Sequence, residues 1–241
     1  MNYIDHLREL RNRIILCFIF LIICFSVFFY YSDYIGKILT QPLFNLVDPT
    51  QNKRMIFTSL PEVFVSNLKI ALFASFLISF PFFVLQFVLF ISPALYKKEK
   101  NFFLPILFLV PFLFFLGLLF SYFFLIPVIW SFFLSFENFL VDSFSLELES
   151  RYSEYMKLTM YLLFSCGISF LFPILLILLT KLKILNLKSL KRNRKYFVIG
   201  ILIFSAIFTP PDVISQLGIA IPLIIFYEIS IVFINFFFRN R

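Results

Sequence analysis

The 241-residue sequence holds one His, one Trp, three Cys and five Gly. Each scarcity removes a class of function. A zinc site needs several closely spaced Cys or His ligands. Here Cys17, Cys24 and Cys166 lie scattered in apolar runs, where a thiol acts as a small hydrophobe. Gly36, Gly117, Gly167, Gly200 and Gly218 are too far apart for a GxGxxG fingerprint or a P-loop. No loop holds a nucleophile beside a base, so no enzyme, no cofactor and no metal are expected. Charge is also scarce, at 14% of residues against about a quarter in soluble domains. Disorder is excluded by the same figure. What is abundant is apolar surface: 61% of residues are hydrophobic, forty of them Phe, and the mean hydropathy is +0.98. One soluble core could not hide that much. The composition implies an all-α protein that crosses a membrane several times.

A transmembrane helix needs about 20 apolar residues. Six runs qualify or come close: 14–30, 70–95, 102–130, 158–180, 196–208 and 217–238. With their flanks they predict spans of 14–32, 66–95, 102–130, 155–180, 195–209 and 216–238 in a single domain. The fifth run has 13 residues, about 20 Å of helix against a hydrocarbon core of about 30 Å. It reads either as a re-entrant segment or as one of a short pair of helices, five and six, that thins the bilayer locally. Pro81, Pro93, Pro105, Pro111, Pro127, Pro173 and Pro222 fall in or at the ends of spans. Interior prolines kink helices, and the expectation is a curved bundle with a concave face.

Lys and Arg set the orientation. With the N-terminus inside, fifteen fall in cytoplasmic segments and six outside, so both termini are expected in the cytoplasm. The net charge of +8 then reflects inner loops and implies no nucleic acid. The two sizeable loops, near 31–62 and 131–154, face outside and hold most of the acids.

Few polar residues remain that could carry a function. In HLRELRNR (6–13), Leu7, Leu10 and Ile14 recur at helical spacing, which predicts an amphipathic helix on the inner surface before the first span. Arg11 and Arg13 suit positive-inside anchoring, and Glu9 is placed to pair with Arg13 at i+4. Glu99 stands among three lysines in FISPALYKKEK (90–100). Two carboxylates on one cytoplasmic face, Glu9 and Glu99, could bind paired guanidinium groups through charge-assisted contacts. Glu228 lies eleven residues into the sixth run, where a carboxylate is either functional or a clamp between helices. As a proton relay it would fit a proton-coupled solute transporter, the alternative reading. Asp212 follows Thr209-Pro210-Pro211 and suits a turn.

HLRELRNR, FISPALYKKEK, TPPDVISQ (209–216) and IPLIIFYEI (221–229) together resemble the TatC family, the polytopic receptor subunit of the twin-arginine protein translocase. The resemblance covers essentially the whole chain. It implies a glove-like six-helix bundle in the inner membrane that recognises twin-arginine signal peptides of folded cargo. It implies single-span partners of the TatA/TatB type, homo-oligomers within that hetero-complex, and transport driven by the proton motive force. By position, Glu9 and Glu99 match the family's signal-contacting carboxylates, with Arg11 and Phe90 in support. Pro42, Tyr122 and Asp212 match other positions linked to function. Thr209 and Gln216 fall where helices five and six meet partners. One departure stands out: where the family commonly carries an intramembrane Glu before the proline of a GxSFExP-like stretch, this chain has Leu171 in GISFLFP (167–173).

Overall fold

The computed structural model describes residues 3–46, 55–91, 97–136, 151–181, 184–209 and 212–238, with backbone alone for 3–5, 91, 97–104 and 237–238. These residues are helical throughout apart from turns and one isolated bridge between Ile56 and Arg151. In chain order the helices are α1 (Tyr3–Tyr30), α2 (Ser32–Phe44), α3 (Glu62–Ile91), α4 (Lys97–Phe120), a π-helical turn (Ser121–Leu125) and α5 (Ile126–Ser135). After them come α6 (Tyr152–Ser169), α7 (Phe172–Lys181), α8 (Leu187–Arg192), α9 (Arg194–Phe208) and α10 (Val213–Phe238). Five stretches are long and apolar enough to cross a membrane: His6–Tyr30, Glu62–Phe90, Pro105–Ser135, Tyr152–Lys181 and Val213–Phe236. α9 joins them as a shorter apolar helix of 15 residues.

The chain divides into two compact units. The first comprises residues 1–41, 54–112 and 150–156. Its axis is the pairing of α1 with α3, seen in the stacked rings of Phe20 and Phe82, 4.5 Å apart, and the edge contact of Phe29 with Phe64. α1 is one unbroken helix of 28 residues. The amphipathic segment at 6–13 is therefore the first turns of the spanning helix, not a separate surface helix, because neither Gly nor Pro interrupts 3–30. The stretch 31–62, expected as a loop, contains α2. Its acid, Asp33, falls in the first turn as the helix dipole favours. At this end of the unit a polar network replaces the apolar contacts. Asn67 Nδ2 donates to Asp33 at 2.7 Å, and Tyr152 Oη donates to Asn67 Oδ1 at 3.2 Å. Ser153 Oγ and the Thr58 amide donate to Glu62 at 2.6 and 2.8 Å. Gly36 lets the ring come close, since an added Cβ would lie 2.9 Å from Tyr152 Oη and the hydroxyl end would have to shift.

The second unit comprises residues 42–53, 113–149 and 157–241. α4 and α6 approach so closely that a Cβ on Gly117 would sit 2.8 Å from the Cys166 carbonyl oxygen. One on Gly167 would meet the Phe114 ring at 2.8 Å. Small residues permit this backbone approach in a lipid setting, where dispersion rather than water exclusion drives packing. The third span contains the π turn. The Ile126 amide bonds to the carbonyl of Ser121, five residues back. That wide turn lies just ahead of Pro127, which has no N–H to offer the previous turn. The fourth span is broken at Phe170–Leu171, and Pro173 opens the helix that follows.

The expected pair of short helices is one short and one long. α9 is continuous from Arg194 to Phe208, so it is a single helix and not a re-entrant turn. α10 runs for 26 residues through Pro222, about 39 Å. It starts at Val213, directly after the Asp212 cap, so its extra length lies at the Phe238 end. Along its length it packs against α7 and α8 as well as α9. There the fully buried Tyr227 donates to the Leu190 carbonyl at 2.7 Å and stacks on Phe197.

Candidate functional site

A polar arrangement near the start of α1 is built on Glu9. The i+4 spacing on α1 brings Arg13 onto it: Arg13 Nε and Nη2 both donate to Glu9 Oε1, at 3.0 and 2.7 Å. The same guanidinium crosses to α3, donating from Nη1 to Gln86 Oε1 at 3.0 Å and from Nη2 to the Leu89 carbonyl at 3.5 Å. Glu9 and Arg13 are each about a quarter exposed. Glu9 Oε2 receives no bond from any described residue, so one carboxylate oxygen faces outward while the other is fixed. One turn earlier His6 stacks on Phe90, with centroids 4.3 Å apart and planes 14° from parallel. A carboxylate held by one guanidinium, with a second edge open beside an aromatic stack, can accept a further guanidinium.

Of the residues singled out for this site, the structure brings Glu9 and Phe90 to the same end of the α1–α3 pair. Arg11 points elsewhere, exposed, and donates to Asn12 Oδ1 at 3.3 Å. Glu99 is in the first turn of α4, and its side chain lies outside the described residues. Gln86 and His6 complete the arrangement. The sequence offered no spacing that joins 13 to 86; only the rarity of a Gln inside an apolar run marked it.

A second cluster forms at the turn from α9 to α10. Asp212 Oδ2 accepts the Ser215 amide at 2.7 Å and caps α10. Gln216 Nε2 donates to the Leu202 carbonyl at 3.1 Å, and Thr209 Oγ1 to that of Ser205 at 2.9 Å. Gln216 therefore ties α10 to α9, while Thr209 closes the end of α9 and Asp212 caps the start of α10. Pro42 is buried inside α2. Tyr122 occupies the π turn, a distortion often found at functional sites, and meets Phe123 edge-on.

Of the two readings open for Glu228, the structure favours the clamp between helices. Glu228 pairs with Arg194 at 3.0 Å, and both side chains are about half exposed. α9 is short, so its first residue lies opposite residue 228 and not opposite the far end of α10. A cavity of about 710 Å3 in the second unit falls in the usual range for ligand pockets. It lies between α6, α7, α9 and α10, and Glu228 is not among its walls. Leu171 is among them. A proton relay needs a polar path leading to its carboxylate, and this cavity provides none.

Known proteins share this chain's fold and much of its sequence. A profile for "Sec-independent protein translocase protein (TatC)" matches residues 5–222. The Sec-independent protein translocase protein TatC of Rickettsia prowazekii is 40% identical over 237 residues, covering 98% of this chain and 93% of that one. The TatC of Escherichia coli K12 is 31% identical, covering 99% and 91%. A crystal structure of the twin-arginine translocase receptor TatC in DDM superposes with a TM-score of 0.80 at 36% identity, covering 95% of this chain and 98% of that one. On the whole length of the chain, the fold and the sequence, this protein belongs to the TatC family of Sec-independent protein translocases.

Proposed function

We propose that this chain is the receptor and core subunit of a twin-arginine translocase. It binds the paired arginines of signal peptides on folded cargo and nucleates a complex with single-span TatA/TatB-type subunits, in which it forms homo-oligomers. It makes and breaks no covalent bond. It resides in the inner membrane with both termini in the cytoplasm, as the distribution of Lys and Arg requires. Movement of cargo draws on the proton motive force, with about 2.3 kcal/mol per charge per 100 mV.

The observation that carries this reading is the half-occupied Glu9 carboxylate, fixed through Arg13 to Gln86. Glu99 supplies the second carboxylate, Arg11 a cationic flank and Phe90 an apolar wall. Pro42, Tyr122 and Glu228 act as structural supports, and Thr209, Asp212 and Gln216 present the hairpin at which partner helices meet the bundle. Arg in the signal is favoured over Lys because its planar fork matches a carboxylate edge.

Charge-assisted hydrogen bonds are worth about 1.5–3 kcal/mol each. Glu9→Ala or Glu99→Ala is therefore expected to weaken binding of a twin-arginine signal peptide by roughly tenfold to a hundredfold. The measurement is site-specific photocrosslinking of the peptide to protein in membrane vesicles, with a twin-lysine peptide as control. Unchanged crosslinking and normal export in both variants would overturn the assignment.

A further inference from the structure

The cavity in the second unit and the charged turn at its rim fit a ligand that the receptor reading does not use. The cavity walls are apolar: Leu171, Leu175, Ile201, Phe204 and Leu223 face it. Of its polar residues, Ser169 spends its hydroxyl on the Ser165 carbonyl at 2.7 Å, while Asn193 and Tyr196 contribute near the start of α9. Gly200 also lines it, and a Cβ built there meets nothing within 4 Å, so the trough is open along α9. Water would find too few partners in it.

At the α9 start the chemistry changes. Lys188, Lys191, Arg192, Arg194 and Lys195 are all exposed on α8 and the first turn of α9. Among the described residues, Arg194 alone of these five forms an ion pair, with Glu228. Lys195 Nζ stands 5.1 Å from the ring centroid of Tyr196, a residue of the cavity wall. An open apolar trough inside a membrane protein thus ends at a cluster of unneutralised cations. Basic pockets between transmembrane helices suit anionic head groups, and the trough suits an acyl chain.

We propose that this chain holds an anionic phospholipid, with an acyl chain along α9 in the trough and its phosphate at Lys191, Arg192 and Lys195. The site explains Leu171 in its own terms. A carboxylate at that wall position would face the acyl chain, whereas Leu171 extends the apolar surface. The proposal rests on residence in a membrane and not on signal-peptide recognition, so it stands or falls separately from the receptor role.

The test is native mass spectrometry of the full chain in detergent, supplied with equal phosphatidylglycerol and phosphatidylcholine. The wild type is expected to retain phosphatidylglycerol in preference by roughly tenfold or more. The triple variant Lys191→Gln, Arg192→Gln, Lys195→Gln should bind both lipids equally. Gly200→Leu, whose side chain enters open space and leaves the fold intact, should lose both. Gly200→Ala serves as the folding control. Equal retention of the two lipids by the wild type would overturn the proposal, as would full retention by Gly200→Leu. A photoreactive residue at 200 that crosslinks to a polypeptide and never to lipid in native membranes would assign the trough to a partner helix instead.

Discussion

Arg13 reaches three acceptors from one guanidinium: Glu9 on its own helix, then Gln86 and the Leu89 carbonyl on α3. An exposed i,i+4 ion pair is worth only about 0.3–0.5 kcal/mol. The contacts across to α3 add more, because a hydrogen bond from a charged donor is worth about 1.5–3 kcal/mol before solvent screening reduces it. Arg13→Ala is therefore expected to destabilise the protein by about 1 kcal/mol more than Glu9→Ala does. Thermal denaturation of both variants in detergent measures the difference. Equal losses would mean that Gln86 contributes nothing to holding the pair. At this scale the sequence was partly legible. The i+4 rule found Glu9 with Arg13, since both lie on one helix. Nothing local joined residue 13 to residue 86, because that contact depends on how two spans align. For Glu228 the sequence left two readings open, and the Arg194 partner that favours the clamp was hidden for a related reason: depth counted from the edge of an apolar run ignores the length of the neighbouring helix.

Among the elements, α4 and α6 depend on glycine in a way that α9 does not. Replacing Gly117 with Ala places a methyl group 2.8 Å from a backbone oxygen that cannot rotate away. The gain in helix propensity of up to about 1 kcal/mol does not offset overpacking, so a net loss of about 1–3 kcal/mol is expected. Gly200→Ala meets open space and should be neutral or stabilising by up to about 1 kcal/mol. Melting temperatures of the two variants should therefore move in opposite directions, and a shared loss would contradict the close crossing. Sequence reading located the long apolar helices because their signal is hydropathy over many residues. It missed α2, whose 13 residues include a proline and three charged or amide side chains. The break at Phe170–Leu171 was foreshadowed by Pro173. The π turn gave no sign beyond Pro127.

For the molecule as a whole, the proposed arrangement in the membrane rests on loop charge. Leu60 precedes α3 and is 93% exposed, on the side predicted to face out. With Cys17, Cys24 and Cys166 replaced by Ala, Leu60→Cys should react with an impermeant maleimide added to intact spheroplasts. A cysteine placed after Arg241 should react only when the membrane is broken. The reverse pattern would invert the orientation and remove Glu9 from the compartment where signal peptides arrive. The apolar mass that dominates the composition is lipid-facing and core material, and in the proposed function the few charged side chains carry the recognition.

The π turn in the third span has a consequence for every residue downstream of it. A wide turn holds one residue more than an ordinary turn, and one residue is about 100° of helical rotation. Residues 121–125 thus act as a phase shifter. They set the azimuth at which Ile126, Ile129 and Trp130 meet the interior, all three being buried. Deleting a single residue there would restore a regular helix and keep that face buried, whereas the same deletion in a regular stretch of the span would swing it by about 100° toward lipid.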